Sequence, residues 1–328
     1  MTDLFATVQQ GLFESLVQPL LYAAGLGHLL EDAFEATGWL LVGLLQIGVM
    51  LLLIAPLERW RPVEPPAADA AERAQQRKAV RVDVVYTLLH RLGAFRLLLF
   101  FTIDPLWDAL FGTLSLHGHG GGQLDAVFAG WRPGLTDTAL FAFAVYLVVF
   151  DFADYAIHRG QHGLQAWWAL HALHHSQRRM TMWSDSRNHL LDDLLRDVLL
   201  VLLARAIGVP PAQFVAVVAV TQLLENLQHA NLRLGFGRVG ERLLASPRFH
   251  RLHHAIGVGH ESHGQGSLGG CNFAVLFPVW DVIFGTANFD RRLEPTGIRD
   301  QLAPSSRDYG RGFWSQQWLG LKRLAGRG

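Results

Sequence analysis

The stretch GWLLVGLLQIGVMLLLIAPL, residues 38–57, runs for twenty residues without a charged side chain. A helix of that length rises about 30 Å, which matches the hydrocarbon core of a bilayer. Only 17% of the residues in the chain are charged and half are hydrophobic, whereas soluble domains usually carry about 25% charged residues. The stretch and the composition together predict an integral membrane protein whose spanning segments are α-helices.

Further apolar stretches lie at 84–103, 138–158, 194–204 and 206–224. Pro210 and Pro211 separate the last two stretches and predict a helical hairpin or a kinked pair of helices over 190–229, because proline interrupts a helix. Residues 15–30 form a weaker candidate for an interfacial helix. We therefore predict an all-α fold, a polytopic transmembrane helical bundle with about four to six membrane helices.

The distribution of basic residues predicts an orientation. Residues 1–57 contain no Lys or Arg, residues 58–83 contain six, and residues 104–137 contain only Arg132. The N-terminus is then outside and 58–83 inside. Alternation places every His-rich segment on the cytoplasmic side, as a helical cap on the bundle.

Net charge and cysteine content exclude some classes of function. The formal net charge is zero, so a general attraction to nucleic acid is not supported. Cys271 is the single cysteine, which rules out an internal disulfide and a thiolate metal cluster. Any metal site must therefore use nitrogen and oxygen ligands.

The pattern His-x-x-His-His occurs twice, in HALHH at 171–175 and in HRLHH at 250–254. Residues three and four apart share a helix face, so each triplet can direct two or three imidazoles to one point. His158 and His162 form a further pair four residues apart. Eight imidazoles are too many for one metal and suit two metals with about four nitrogens each, and imidazole binds Zn, Cu, Fe and Ni.

Neighbouring polar residues extend this candidate site. Asp154 lies four residues before His158, where its carboxylate can fix the tautomer of a ligand or bind the metal itself. Asp151 is a weaker candidate for the same role. His229, which has Glu225 one turn before it, is a plausible ninth ligand.

The other histidines have plainer interpretations. We expect surface or satisfied core residues at His28, His90, His117 and His119. His260 and His263 lie in the glycine-rich loop 255–271 and are interpreted as loop residues, with a lid or an accessory ligand as the alternative. The sequence leaves the role of His189 open. The pair Trp167 and Trp168 is interpreted as an interfacial anchor.

Three other classes of protein remain to be weighed. The eight clustered histidines could form an exposed face that binds metal only adventitiously. A zinc-dependent membrane hydrolase also uses imidazole ligands, but it calls for a His-Glu-x-x-His motif, and HRGQH at 158–162 has no glutamate. A metal transporter or sensor would place its ligands near the membrane midplane, whereas these histidines are predicted outside it.

Several motifs resemble the sterol desaturase / fatty acid hydroxylase superfamily of integral membrane di-iron enzymes. The resemblance rests on DFADYAIHRGQH, WALHALHHS, QHANLRL, PRFHRLHH and NFAVLFPVWDVIFGT, and it covers roughly 138–290. It divides the chain into N-terminal membrane helices and loops at 1–137, a fatty acid hydroxylase-like catalytic domain at 138–290 and a C-terminal tail at 291–328.

The resemblance implies an O2-dependent hydroxylase or desaturase of a sterol, a fatty acyl group or another membrane lipid, with two Fe ions. It implicates ten iron ligands: His158, His162, His171, His174, His175, His189, His229, His250, His253 and His254. Asn272 matches a family asparagine that usually stands in NYG, although this chain reads CNFA there. No fused haem motif is present, so a separate ferredoxin, rubredoxin-type protein or cytochrome would supply electrons. Residue usage typical of GC-rich bacteria indicates the inner membrane.

Overall fold

The computed structural model describes residues 2–117, 122–261 and 267–327. These residues confirm the all-α class, since they contain no β-strand, only one isolated bridge between Ala255 and Thr296. The α-helices are, in chain order, α1 Thr2–Leu12, α2 Gln18–Ala23, α3 Leu30–Val49, α4 Ala55–Trp60, α5 Ala70–Arg91, α6 Ala94–Thr102, α7 Asp104–Leu116, α8 Ala139–Gly163, α9 Gln165–His175, α10 Leu190–Ala206, α11 Pro211–His229, α12 Gly237–Leu243, α13 Pro247–His253, α14 Val279–Ile283 and α15 Phe313–Leu324.

Two continuous helices are long and apolar enough to cross a membrane, Gly27–Trp60 and Ala139–Gly163. The first joins α3 to α4 through a π-helical turn at Met50–Ile54. A third span results if the bent pair α5 and α6 is counted as one. The described residues therefore give two or three spans, fewer than the predicted four to six.

The shortfall lies in the hairpin of α10 and α11. The predicted break is confirmed, because α10 ends at Ala206 and α11 begins at Pro211. However, α10 has only 17 residues, and its first half carries Asp192, Asp193, Arg196 and Asp197. Charged side chains at that density are costly in hydrocarbon, and they face the interior of the protein instead.

One side of the α3 helix is exposed and apolar, and another side packs against α5 and α11. Leu45 in α3 is 61% exposed, and Leu52 in the π-helical turn that follows is 77% exposed. Such exposure is expected for side chains that meet hydrocarbon. On the opposite face, Gln46 is buried, and its Nε2 donates to the carbonyl of Ala219 in α11 at 2.9 Å. Gly43 on the same face lets the backbone of α5 approach, since a Cβ there would lie 1.7 Å from the Arg91 carbonyl oxygen.

The α5–α6 pair bends by 49° at Leu92 and Gly93. Gly93 has a φ of 82°, in the left-handed region, which is the conformation that glycine adopts most readily at a helix C-terminus. The bend directs α6 away from the axis of α5.

Buried carboxylates fix the segment that follows the glycine-rich loop. Asp151 of α8 accepts hydrogen bonds from the backbone N–H groups of Leu276 and Phe277 and from the Trp280 indole. Asp281 accepts from the backbone N–H groups of Phe273 and Ala274. Asp151 is therefore a structural residue that attaches segment 273–281 to α8.

Candidate metal centre

Nine of the ten predicted ligand histidines converge in the interior of the protein. Their ring nitrogens form two groups of four, and within each group the nitrogens lie within 4.8 Å of one another. The first cluster consists of His158, His162, His171 and His175, and the second cluster of His174, His229, His250 and His254. A further group of His175, His253 and His254 joins the two clusters.

The two His triplets divide between the clusters and do not each point to one metal. In α9, His171 and His175 face the first cluster, whereas His174 faces the second. The reason is helical geometry, because adjacent residues are about 100° apart around the axis. In the α13 triplet, His250 and His254 belong to the second cluster, and the His253 ring lies 4.5 Å from that of His158. Each triplet therefore serves both clusters.

Ring nitrogens in the second cluster meet at hydrogen-bond distance. The Nε2 atom of His229 lies 3.1 Å from Nε2 of His174 and 3.0 Å from Nε2 of His250, and Nε2 of His254 lies 3.2 Å from Nε2 of His250. The His229 Nδ1–H donates to the Glu225 carbonyl at 2.8 Å. His229 Nε2 therefore carries a lone pair, as a metal ligand requires.

Three other rings are oriented in the same way. Nδ1 of His158 donates to the carbonyl of Phe273 at 2.9 Å, and Nδ1 of His253 donates to the carbonyl of Cys271 at 2.7 Å. Nδ1 of His171 bonds Oδ2 of Asp192 at 3.0 Å. In all three, Nε2 is buried without a hydrogen-bond partner among the described residues. Such bonds fix the tautomer of a ligand and direct the other nitrogen to the metal.

Burial favours the neutral form of several of these imidazoles. All nine rings are at most 8% exposed. Desolvation, reinforced by neighbouring histidines, lowers the pKa of His174, His175, His250 and His254 well below 6.5, and burial lowers the pKa of His253 to about 3. Neutral imidazole is the form that binds a metal. Buried nitrogens without partners are costly, so the site fits a pair of metal ions.

Asp154 does not orient a ligand as predicted. The Nδ1 of His158 is bonded to the Phe273 carbonyl and is therefore not available to Asp154. Asp154 Oδ1 accepts from Nε of Arg196 at 2.8 Å. Asp154 instead lines a cavity beside the clusters.

Asn272 touches neither cluster through its side chain. Its φ is 59°, a left-handed conformation that asparagine tolerates better than most residues. The amide Nδ2 donates to the carbonyls of Phe249 and Asn288, and Oδ1 accepts from the Asn288 N–H. Asn272 thereby holds the turn that presents the Cys271 carbonyl to His253.

The structure does not bring His189 to either cluster. Its Nδ1 accepts from the N–H of Leu191 and caps α10, and its Nε2 donates to the Gln317 carbonyl at 2.9 Å. The ring also packs on Gly320, where a Cβ would lie 2.3 Å from His189 Cδ2. These contacts attach α15 to the start of α10.

The remaining histidines mostly agree with expectation. His28 is exposed, and His117 bonds the Thr113 carbonyl of its own helix. His90 pairs with Asp193 at 3.2 Å. His260 stacks on Trp168 with ring centroids 5.1 Å apart, outside the groups that could hold a metal. His119 and His263 lie outside the described residues.

Sequence reasoning missed Asp192 and the contacts that the tryptophan pair makes with the site. Asp192 is 2% exposed and accepts from the Gln161 amide at 2.8 Å and the Trp167 indole at 2.7 Å, in addition to His171. The Trp168 ring lies 5.0 Å from that of His162. Both tryptophans thus contact side chains of the site, a role that their interpretation as an interfacial anchor did not include. No local pattern marks Asp192, since its partners are remote in sequence.

One cavity reaches the clusters, and a second cavity adjoins it. The inner cavity, of about 130 Å³, is lined by His158, His171, His174, His229 and His250 among others. The outer cavity, of about 120 Å³, lies farther along α3, α8, α10 and α11. Arg91, Asp154 and Arg196 line both cavities, so the two meet at these residues.

Comparison with known proteins gives three findings. Residues 143–286 match the family model for fatty acid hydroxylase. The chain is 29% identical over 154 residues to ornithine lipid hydroxylase OlsE of Rhizobium tropici, which covers 46% of this chain and 43% of that protein. It is 25% identical over 151 residues to alkylglycerol monooxygenase of Caenorhabditis elegans, covering 44% of this chain and 26% of that protein. The chain thus matches less than half the length of either relative. No solved structure gives a significant match.

Proposed function

Because residues 143–286 belong to the fatty acid hydroxylase family, within the sterol desaturase / fatty acid hydroxylase superfamily, we propose that this protein is an O2-dependent lipid hydroxylase with two iron ions. The observation that carries the proposal is the pair of four-histidine clusters buried within the described part of that segment. Hydroxylation is favoured over desaturation because the two relatives are named as a hydroxylase and a monooxygenase.

The first and second clusters would hold one iron each, with His253 between them. When bound, the iron pair supplies O2 activation for insertion of one oxygen atom into a C–H bond. The overall reaction converts R–H, O2, two protons and two electrons into R–OH and water. A separate ferredoxin, rubredoxin-type protein or cytochrome would deliver the electrons.

The protein contributes orientation, neutrality and exclusion of water. The carbonyls of Phe273, Cys271 and Glu225 and the carboxylate of Asp192 hold four rings with a nitrogen lone pair free for the metal. Burial keeps bulk water from the reacting centre. Ligand orientation, ligand protonation state and water exclusion are the means by which a protein adjusts the properties of a bound metal.

The proposed setting is a bacterial inner membrane, with a lipid entering from the bilayer and the clusters on the cytoplasmic side. The basic residues of 58–83 support this orientation. The zinc hydrolase alternative is not favoured, since neither relative is a hydrolase.

Metal analysis of detergent-purified protein tests the proposal. We expect about two irons per chain, and about one after either His162→Ala in the first cluster or His250→Ala in the second. His28→Ala, which changes an exposed histidine, is the matched control and should keep both irons. The iron-loaded protein should also consume O2 in a lipid-dependent manner when given a reduced ferredoxin. Absence of stoichiometric metal after iron reconstitution, or metal without lipid-dependent O2 uptake, would overturn the proposal.

A further inference from the structure

A third cavity, of about 870 Å³, lies beside α15 and shares no lining residue with the inner and outer cavities. Apolar side chains form part of its wall, among them Trp168, Ile298 and Leu319. No cluster histidine lines it within the described part of the chain. A cavity of this size can hold an organic molecule, so it is a candidate for a site separate from the metal centre.

The side chain of Arg323 lines this cavity and is only 9% exposed. Its Nε donates to the Ala169 carbonyl at 3.0 Å, and its Cζ lies 4.4 Å from the centroid of the Tyr309 ring. The ring contacts the face of the guanidinium group and leaves the N–H bonds in its plane available. Nη1 and Nη2 are buried and have no hydrogen-bond partner among the described residues.

The other buried arginines each have a carboxylate partner. The described residues contain four buried arginines, which are Arg91, Arg187, Arg251 and Arg323. Arg91 pairs with Asp185 at 3.5 Å, Arg187 with Asp83 at 2.5 Å, and Arg251 with Glu64. Arg323 differs from these three, since no acceptor in the described chain receives its two terminal nitrogens. A buried charge without a counter-charge is costly.

The carboxylates that line the third cavity have other partners. Glu261 accepts from Nε of Arg299 at 2.9 Å, and Asp300 accepts from Nη1 of Arg307 at 3.1 Å. The remaining carboxylate, that of Asp308, belongs to an exposed residue, where water screens its charge. The buried guanidinium group of α15 therefore carries the positive charge that this cavity leaves uncompensated.

We propose that the third cavity binds an organic anion whose carboxylate or phosphate group lies on Nη1 and Nη2 of Arg323. Two parallel N–H donors match two oxygens of such a group, and charge-assisted bonds of this kind are the strong ones. The apolar part of the anion would contact Trp168 and Leu319. The inference does not depend on the proposed hydroxylase activity.

The site also adjoins the metal centre through one side chain. The Trp168 ring lines the third cavity and lies 5.0 Å from the ring of His162 in the first cluster. The same ring stacks on His260, with centroids 5.1 Å apart. An anion bound against Trp168 would thus lie one side chain away from the first cluster without contacting a metal ligand.

Isothermal titration calorimetry on the iron-loaded protein in phosphatidylcholine nanodiscs tests the site. The probes are inorganic phosphate and butyl phosphate, each in 0.15 M NaCl. We expect one site per chain with a Kd below about 1 mM, because salt screens a buried ion pair less than an exposed one. Butyl phosphate should bind at least about threefold more tightly than inorganic phosphate, since its alkyl group can bury apolar surface.

Variants of the guanidinium group decide whether that binding belongs to this cavity. Arg323→Gln should weaken butyl phosphate binding at least about tenfold, and Arg323→Lys, which keeps the charge without the fork, should have an intermediate effect. Lys322→Gln, at an exposed neighbouring position, is the matched control and should bind as wild type. Iron content should be equal in all of these proteins. Binding that survives Arg323→Gln, as it would if phosphate bound the iron, would overturn the proposal.

A second variant avoids any change to the bonds of Arg323. Ser305 is exposed and lines the cavity, so Ser305→Glu adds a negative charge there, which should weaken butyl phosphate binding about threefold or more. If Arg323→Gln does not retain iron, an unchanged Kd in Ser305→Glu would overturn the proposal.

Nanodiscs with and without phosphatidic acid distinguish a lipid head group from a free anion. A thermal midpoint that rises with phosphatidic acid in the wild type, but not in Arg323→Gln, would identify a lipid source. Binding of butyl phosphate with no effect of phosphatidic acid would identify a free organic anion. If neither phosphate probe nor phosphatidic acid binds or stabilises the wild type, Nη1 and Nη2 meet only water and the proposal fails.

Discussion

The Nδ1 atom of His171 lies 3.0 Å from Oδ2 of Asp192, and both side chains are buried. The other oxygen of Asp192 accepts from both Gln161 and Trp167. This carboxylate is thus saturated with donors and has one arrangement in which all three are satisfied. It fixes the His171 ring with Nε2 free for a metal.

Asp192→Asn should therefore weaken metal binding. The amide oxygen of asparagine would keep the bonds to Gln161 and Trp167, so its NH2 group would face Nδ1 of His171. That contact favours the tautomer with hydrogen on Nε2, which cannot bind a metal. We expect metal affinity to fall about 10–100-fold, measured by iron loss to a chelator. Asp193→Asn, which affects the pair with His90, should lose iron at the wild-type rate, and equal loss from the two variants would contradict this role.

Gly43→Ala should destabilise the membrane bundle. The added Cβ would lie 1.7 Å from the backbone oxygen of Arg91, so α3 and α5 must separate. Such overpacking costs about 1–3 kcal/mol or more, and the thermal midpoint in detergent should fall. Gly48→Ala on the same helix is the matched control, since its Cβ would have nothing within 4 Å. A midpoint unchanged by Gly43→Ala would show that this close approach is absent in solution.

The metal-free protein should lose stability in mild acid. Burial lowers the folded-state pKa of His174, His175, His250 and His254 well below 6.5, whereas the unfolded chain titrates near 6.5. Below that pH, the unfolded state binds more protons than the folded state, so stability that is present above pH 6.5 is lost as the pH falls. Each such histidine contributes roughly 1 kcal/mol of loss between pH 7.5 and 5.5.

Thermal unfolding of chelator-treated protein at pH 7.5 and 5.5 measures this effect. The midpoint should be lower at pH 5.5, and His175→Gln should reduce the difference between the two values. Equal midpoints at the two pH values would refute neutral burial of these rings.

Cys271 should be an unreactive thiol in the folded protein. Burial raises its pKa to about 12, so very little thiolate is present at pH 8, and the thiolate is the reactive form. Because Cys271 is the single cysteine, alkylation by iodoacetamide can be followed as one mass increment. We expect labelling at least a hundredfold slower than in denatured protein, and comparable rates would contradict the burial of this turn.

The sequence predicts the parts of the site that have local spacing. The histidine pair and triplets, and His229 at the end of α11, could all be found because residues three and four apart share a helix face. The hairpin break at Pro210 and Pro211 could be found for a similarly local reason.

The orienting groups could not be found in this way. Three of them are the backbone carbonyls of Phe273, Cys271 and Glu225, which any residue type supplies. The fourth is Asp192, on a different helix from His171. Spacing alone also predicts Asp154 as a residue that orients His158, whereas its carboxylate accepts a hydrogen bond from Arg196. The division of each triplet between two clusters depends on how α9 and α13 pack, which is a tertiary property.

The histidines of each cluster come from segments that are far apart in the chain, since α13 follows the whole α10–α11 hairpin. A metal bound by His174, His229 and His250 would act as a cross-link that closes long loops, and the entropy of the unfolded chain falls when such loops are closed. During synthesis, a nascent chain that ends before α13 lacks half of the second cluster. A metal ion that needs all four histidines of the second cluster would therefore be bound only after α13 has packed against α11.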